Sequence, residues 1–282
     1  MQNRKTVLIT DSACDLPDEL LSKYNIAFVP LRLVYKGGEL RDRVEISPEM
    51  VYSMLETEVP KTSLPLPEDV LNTYDRLADE GYTDAVHISI SSGLSGTYNM
   101  VRTLAEDYDR MRVKVIDTRS LSMQEGLIVL NCARMLEHTQ DPEEIAAYAE
   151  TLRQNSAGMF VIRTLEYLRK GGRIGLVEGV LGTMLNLKPV IFVNDDGVYE
   201  TMVKARGFAN AKEALIREFL SRFDKAKVQL AIVHGSAQEE AEKLLERLKG
   251  LLNVEESFLV PVSPVLGVHT GLGLLGVIAC KV

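Results

Sequence analysis

Short apolar runs alternate with amphipathic stretches through the first half of the chain, the pattern of βαβ units wound around a largely parallel sheet. Residues 6–10, 26–34, 84–90 and 113–117 read as strands, and 18–24, 67–80, 97–108, 121–137 and 141–154 as helices, with a further helix opened by Ser47-Pro48-Glu49. Asp15, Ser47 and Asp141 each precede a proline-containing first turn, a helix-start signal. Residues 61–67 read as a loop, because Pro65 and Pro67 forbid a regular helix there. From about residue 158 the pattern changes to strands at 159–162, 190–194, 198–203, 228–233, 257–262 and 276–281, with helices at 164–169, 209–222 and 237–251. Asp195-Asp196-Gly197 between two of these strands is a hairpin signal. The expected fold class is therefore α/β with two domains. Residues 1–157 would form an N-terminal domain with a largely parallel sheet and flanking helices, and residues 158–282 a mixed α/β domain with antiparallel pairs.

Composition narrows the class. Hydrophobic residues make up 46% of the 282 and charged residues 26%, the mix of an ordinary globular chain long enough for a sizeable core. No run approaches the ~20 apolar residues that cross a membrane. The first residues reach an apolar strand too soon for a secretion signal. Thirty-two basic residues against forty acidic ones give a net charge of −8, which argues against non-specific nucleic-acid binding. Cys14, Cys132 and Cys280 are scattered without metal spacing, as expected of small buried residues in a reducing cytoplasm.

The richest segment for chemistry is Ser91-Ser92-Gly93-Leu94-Ser95-Gly96-Thr97, between a strand and a helix. Ligands of open parallel sheets sit at the carboxyl ends of strands, and a helix start there offers unpaired N–H groups to an anion. The competing reading is a plain cap and turn. Lys61-Thr62-Ser63 is a second hydroxyl pair, able to meet the same anion if the two strands are neighbours. Asp11-Ser12 and Asp117-Thr118 follow strand ends and read as structural caps. Lys170-Gly171-Gly172-Arg173 places two cations at a turn, and His269 lies among glycines, where a histidine can hydrogen-bond a carboxylate. His87, His138 and His234 read as structural. Gly271-Leu272-Gly273-Leu274-Leu275-Gly276 matches a dinucleotide fingerprint in letters only, since too few residues follow for the required helix.

Taken in order, Asp11-Ser12-Ala13-Cys14-Asp15-Leu16-Pro17, Lys61-Thr62-Ser63, Ser91 to Tyr98, Asp117-Thr118, Lys170 to Ile174, Lys188-Pro189 and His269-Thr270-Gly271 resemble the DegV family over nearly the whole chain. The resemblance implies two α/β domains with a long-chain fatty acid such as palmitate buried between them, and no further cofactor, metal or catalytic residue. It implies that Thr62 and Ser95 hold the carboxylate, with Ser63, Ser91, Ser92, Gly96, Thr97, Arg206 and His269 as head-group neighbours. It also implies a separate fatty acid kinase subunit as partner, with Arg173 at a position facing it. Leu64, Leu66, Leu121 and Gln124 depart from the family pattern, and they bear on the shape of the acyl tunnel. Met159, Phe160, Ile162, Met184 and Leu187 are candidates to line it.

A sixteen-carbon chain buries about fourteen methylenes at roughly 0.8 kcal/mol each. The tail would thus supply most of the affinity and the hydroxyls its orientation. Two other functions stay open on the residues alone. One is a serine-dependent acyl- or phosphoryl-transfer enzyme using Ser95. The other is a regulatory protein binding an anion or nucleotide at the Ser91–Thr97 loop.

Overall fold

A computed structural model of the chain describes residues 4–180 and 186–282, so Met184 lies outside the described residues. The strands, in chain order, are β1 (Thr6–Asp11), β2 (Ala27–Val29), β3 (Arg32–Tyr35), β4 (Gly38–Arg41), β5 (Lys61–Ser63), β6 (Asp84–Ser89), β7 (Arg112–Asp117), β8 (Ser156–Val161), β9 (Leu187–Val193), β10 (Tyr199–Arg206), β11 (Lys227–His234), β12 (Asn253–Pro261) and β13 (Leu275–Lys281). The fold is α/β, as the apolar pattern predicts. A four-stranded sheet in the order β2-β1-β6-β7 is parallel throughout. Every residue of β1 and β6 is buried, as expected of central strands covered by helices on both faces. A six-stranded sheet in the order β10-β9-β8-β13-β11-β12 mixes one parallel pair, β11 with β12, with antiparallel neighbours.

A third sheet, β4-β3-β5, was not anticipated. The single strand expected over residues 26–34 is two strands in two sheets. Pro30, which has no N–H to donate to a ladder, stands at the break. The loop expected over residues 61–67 begins with β5, which pairs antiparallel with β3 so that Thr62 opposes Leu33. Three polar residues ahead of two prolines carry no strand pattern, and only the exposed edge of β3 makes them one.

The helix Ser122–Met135 lies between the two large sheets. From Glu125 to Ala133 all its residues are buried, which removes the one-sided stripe of a surface helix. One apolar cluster joins Leu8 and Ile88 of the parallel sheet to Leu127 and Ile128 of this helix and to Ile191, Val233 and Ile278 of the mixed sheet. The mixed sheet starts at Ser156, close to the division placed at residue 157, but the core runs unbroken across it.

Candidate functional site

A cavity of about 220 Å3 opens where the three sheets meet, and Thr62, Ser63, Ser95, Arg173 and His269 line it with Leu31, Leu64, Ile90, Leu94 and Leu121. Each polar group arrives on a different element. Thr62 comes from β5. Ser95 comes from the loop between β6 and the helix Thr97–Glu106. Arg173 follows the short helix Glu166–Lys170, and His269 sits in the last turn of the helix Pro264–Thr270.

Thr62 Oγ1 and His269 Nε2 are 2.8 Å apart. The other ring nitrogen of His269 is buried without a hydrogen-bond partner and faces Gly171, where an added Cβ would fall 2.0 Å from it. Burial first, and the nearby Arg173 cation second, push the His269 pKa down to about 3. The ring is therefore neutral across the physiological range and acts as one donor and one acceptor. The Arg173 guanidinium donates to Gly171 O at 2.7 Å and Leu94 O at 3.4 Å, which ties this cation to the backbone beside His269. Ser95 Oγ accepts from the Thr97 N–H at 3.3 Å and lies 2.8 Å from Thr97 Oγ1. Its partners are those of a helix-start hydroxyl, and His269 bonds Thr62 in its place, so no base is set on Ser95 among the described residues.

A second, narrower cavity of about 50 Å3 adjoins the first. Leu121, Tyr199 and Leu266 belong to both walls, and Met159, Phe160, Val193, Val233, Val262 and Ile278 continue the second one. Its lining is mostly apolar, with Leu121, Met159, Leu266 and Leu274 among the flexible side chains on it. Unfilled apolar space forfeits dispersion contacts, which suits a small cavity between packed apolar side chains. Met159 and Phe160 line it as anticipated. Ile162 and Leu187 are not part of that wall.

The remaining predicted residues do other work. Ser91 Oγ donates to Gly197 O at 2.7 Å and accepts from the Gly93 N–H, which fixes the loop to the β9–β10 hairpin. Ser92 bonds Asp117 through both its N–H and its hydroxyl. Thr97 is buried beside Ser95, and Gly96 lies against Leu64. Arg206, the last residue of β10, is exposed and lies seven residues beyond cavity-lining Tyr199. Arg173, expected only as a partner-facing residue, lines the cavity itself. Asp11 caps as anticipated, accepting from the N–H groups of Ala13 and Ile90. Residues 271–276 lead into β13 and not into a helix. Cβ atoms at Gly271 and Gly273 would strike Tyr167 and Arg163, and both glycines have positive φ.

Two supports escaped the sequence reading. Asp15 Oδ1 accepts from the Ser263 N–H at 2.8 Å and Asp42 Oδ1 from the Val265 N–H at 3.0 Å. Both carboxyls thus come from the first 42 residues to hold the start of the helix that carries His269. Asp15 sits inside a segment already singled out, whereas Asp42 lies in an unremarkable polar stretch with no local signal.

The pattern of the DegV family, described as an uncharacterised protein, matches residues 5–282. A DegV domain-containing protein of Clostridium acetobutylicum is 40% identical over 277 residues, covering 98% of this chain and 99% of that one. Among solved structures, a DegV family protein from Thermus thermophilus, described by its fatty acid binding, is 32% identical with a TM-score of 0.90, over 99% of this chain and 100% of its own. A stearic acid-binding protein from Eubacterium ventriosum is 27% identical with a TM-score of 0.89, over 98% of each chain.

Proposed function

The chain belongs to the DegV family, and on that premise we propose that it is a carrier for one long-chain fatty acid, palmitate or a near homologue. The observation that carries this reading is the junction of two cavities. One is walled by Thr62, Ser95, Arg173 and His269, the other is apolar, and they meet at Leu121, Tyr199 and Leu266. A carboxylate left unpaired beside an apolar channel would be costly. In the Nε2–H tautomer a neutral His269 donates to Thr62 Oγ1, 2.8 Å away, which frees the Thr62 hydroxyl proton for one carboxylate oxygen. Ser95 supplies a second donor, and the Arg173 guanidinium offsets the charge.

The same arrangement argues for binding without chemistry, since no base is set on Ser95 among the described residues and its carboxylate ligand would leave unchanged. We assign the next step, phosphorylation of the presented carboxylate, to a separate fatty acid kinase in the cytoplasm, reached through the Ser63 and Arg173 side of the cavity. No described helix is long and apolar enough to cross a membrane.

Organic extraction followed by native mass spectrometry tests the proposal. The delipidated chain is expected to take up one equivalent of a C14–C18 acid. Failure to bind any of them would end it. Failure of a fluorophosphonate to label Ser95 is expected alongside; stoichiometric labelling would favour the serine enzyme.

A further inference from the structure

We propose that Gln124 is the stop that sets the longest acyl chain this protein holds, an inference that rests on the fatty acid reading. The apolar cavity has two ends. At one it shares Leu121, Tyr199 and Leu266 with the polar site. At the other it shares Gln124, Gly158, Met159 and Val193 with a third cavity of about 660 Å3, whose wall includes Arg119, Arg153, Asn194, Asp195, Glu200 and Arg222. A chain anchored at Thr62 and Ser95 therefore brings its methyl end to Gln124.

Gln124 is clamped in place. Its Nε2 donates to Ser156 Oγ at 3.1 Å, and that hydroxyl donates to Arg153 O at 3.1 Å. Gly158 of β8 faces it closely, since an added Cβ would lie 2.9 Å from Gln124 Oε1 and 3.3 Å from Ile278 Cγ1. The side chain thus fills the gap between the helix Ser122–Met135 and the mixed sheet. A methyl group pushing past it would break the clamp and enter a cavity lined by charged and amide groups. Both losses act on the same carbon, which makes the cut-off sharp.

The test is the affinity of the delipidated full chain for saturated acids from C12 to C20, read by displacement of a fluorescent acid, with thermal melting as the check on folding. In the unmodified protein, affinity should climb about four-fold per methylene, equivalent to ~0.8 kcal/mol, and then break off. Gln124→Ala removes four heavy atoms and should move the break about two to four carbons longer, raising affinity just beyond the original break about ten-fold. Gln124→Met, similar in length without the amide, keeps the bulk but loses the clamp, and should leave the break at the same length but make it less sharp. Gly158→Ala adds a methyl to the same wall and should move the break shorter, which decides the matter if Gln124→Ala does not fold. A break that stays put in the folded Gln124→Ala, or in Gly158→Ala when the former does not fold, overturns the stop while leaving fatty acid binding intact. An unmodified protein that binds no acid at any length overturns both.

Discussion

The two ring nitrogens of His269 meet different surroundings, and the difference decides what the ring can do. Nε2 is 2.8 Å from Thr62 Oγ1, whereas Nδ1 is buried against Gly171 without a partner. Protonation would place a second cation beside Arg173 with no acceptor for the new proton, so burial and repulsion hold the pKa near 3. Fatty acid affinity is therefore expected to stay level between pH 6 and pH 8 in titrations at constant ionic strength; a rise toward pH 6 would mean that a charged His269 binds the carboxylate. Thr62→Ala and Ser95→Ala should each weaken binding by ~1–3 kcal/mol, the range for a lost charged hydrogen bond, with melting temperatures little changed. Equal affinity in the double variant would remove both hydroxyls from the head-group site. At this scale the ordered motifs made Thr62, Ser95 and His269 legible.

The helix Pro264–Thr270 shows what an element inherits from its partners. All seven residues are buried, and its start is held by Asp15 and Asp42. A helix N-terminus favours an anion, but burial is the larger effect. It raises Asp15 to about 6 and Asp42 to about 7 despite the hydrogen bonds they accept and the nearby Arg43 cation. A carboxyl raised above its unfolded value contributes stability that is complete below the usual carboxylate range and is lost as pH rises through the folded value. Asp42 should thus cost about 1 kcal/mol of stability between pH 6 and pH 8. Asp42→Asn retains an acceptor oxygen for the Val265 N–H and should flatten that part of the stability profile measured by urea unfolding; an unaltered slope would mean Asp42 is ionised throughout. β5 was illegible for a related reason, since its three polar residues become a strand only through pairing with β3.

On the scale of the molecule, both halves of the chain build the site. Thr62, Ser95 and Leu121 come from before the division near residue 157, and Arg173, Tyr199, Leu266 and His269 from after it. A ligand seated there binds both halves and neither alone. Acid at a hundred times its dissociation constant should add about 2.7 kcal/mol to a single cooperative transition, about 5–10 °C in melting temperature for a chain of this size. Calorimetry showing two transitions, only one of them shifted, would contradict the shared core seen around Leu127 and Ile278.

Local pattern alone settled the α/β class, the parallel first sheet, the β9–β10 hairpin and the hydroxyl loops, because alternation, caps and turns are written in neighbouring residues. It could not settle which sheet receives a strand after Pro30, that Asp15 and Asp42 would hold a helix more than 200 residues away, or that Arg173 would face a cavity. Those outcomes depend on surfaces that exist only once distant segments pack, and burial, which keeps His269 neutral, is a property of that packing.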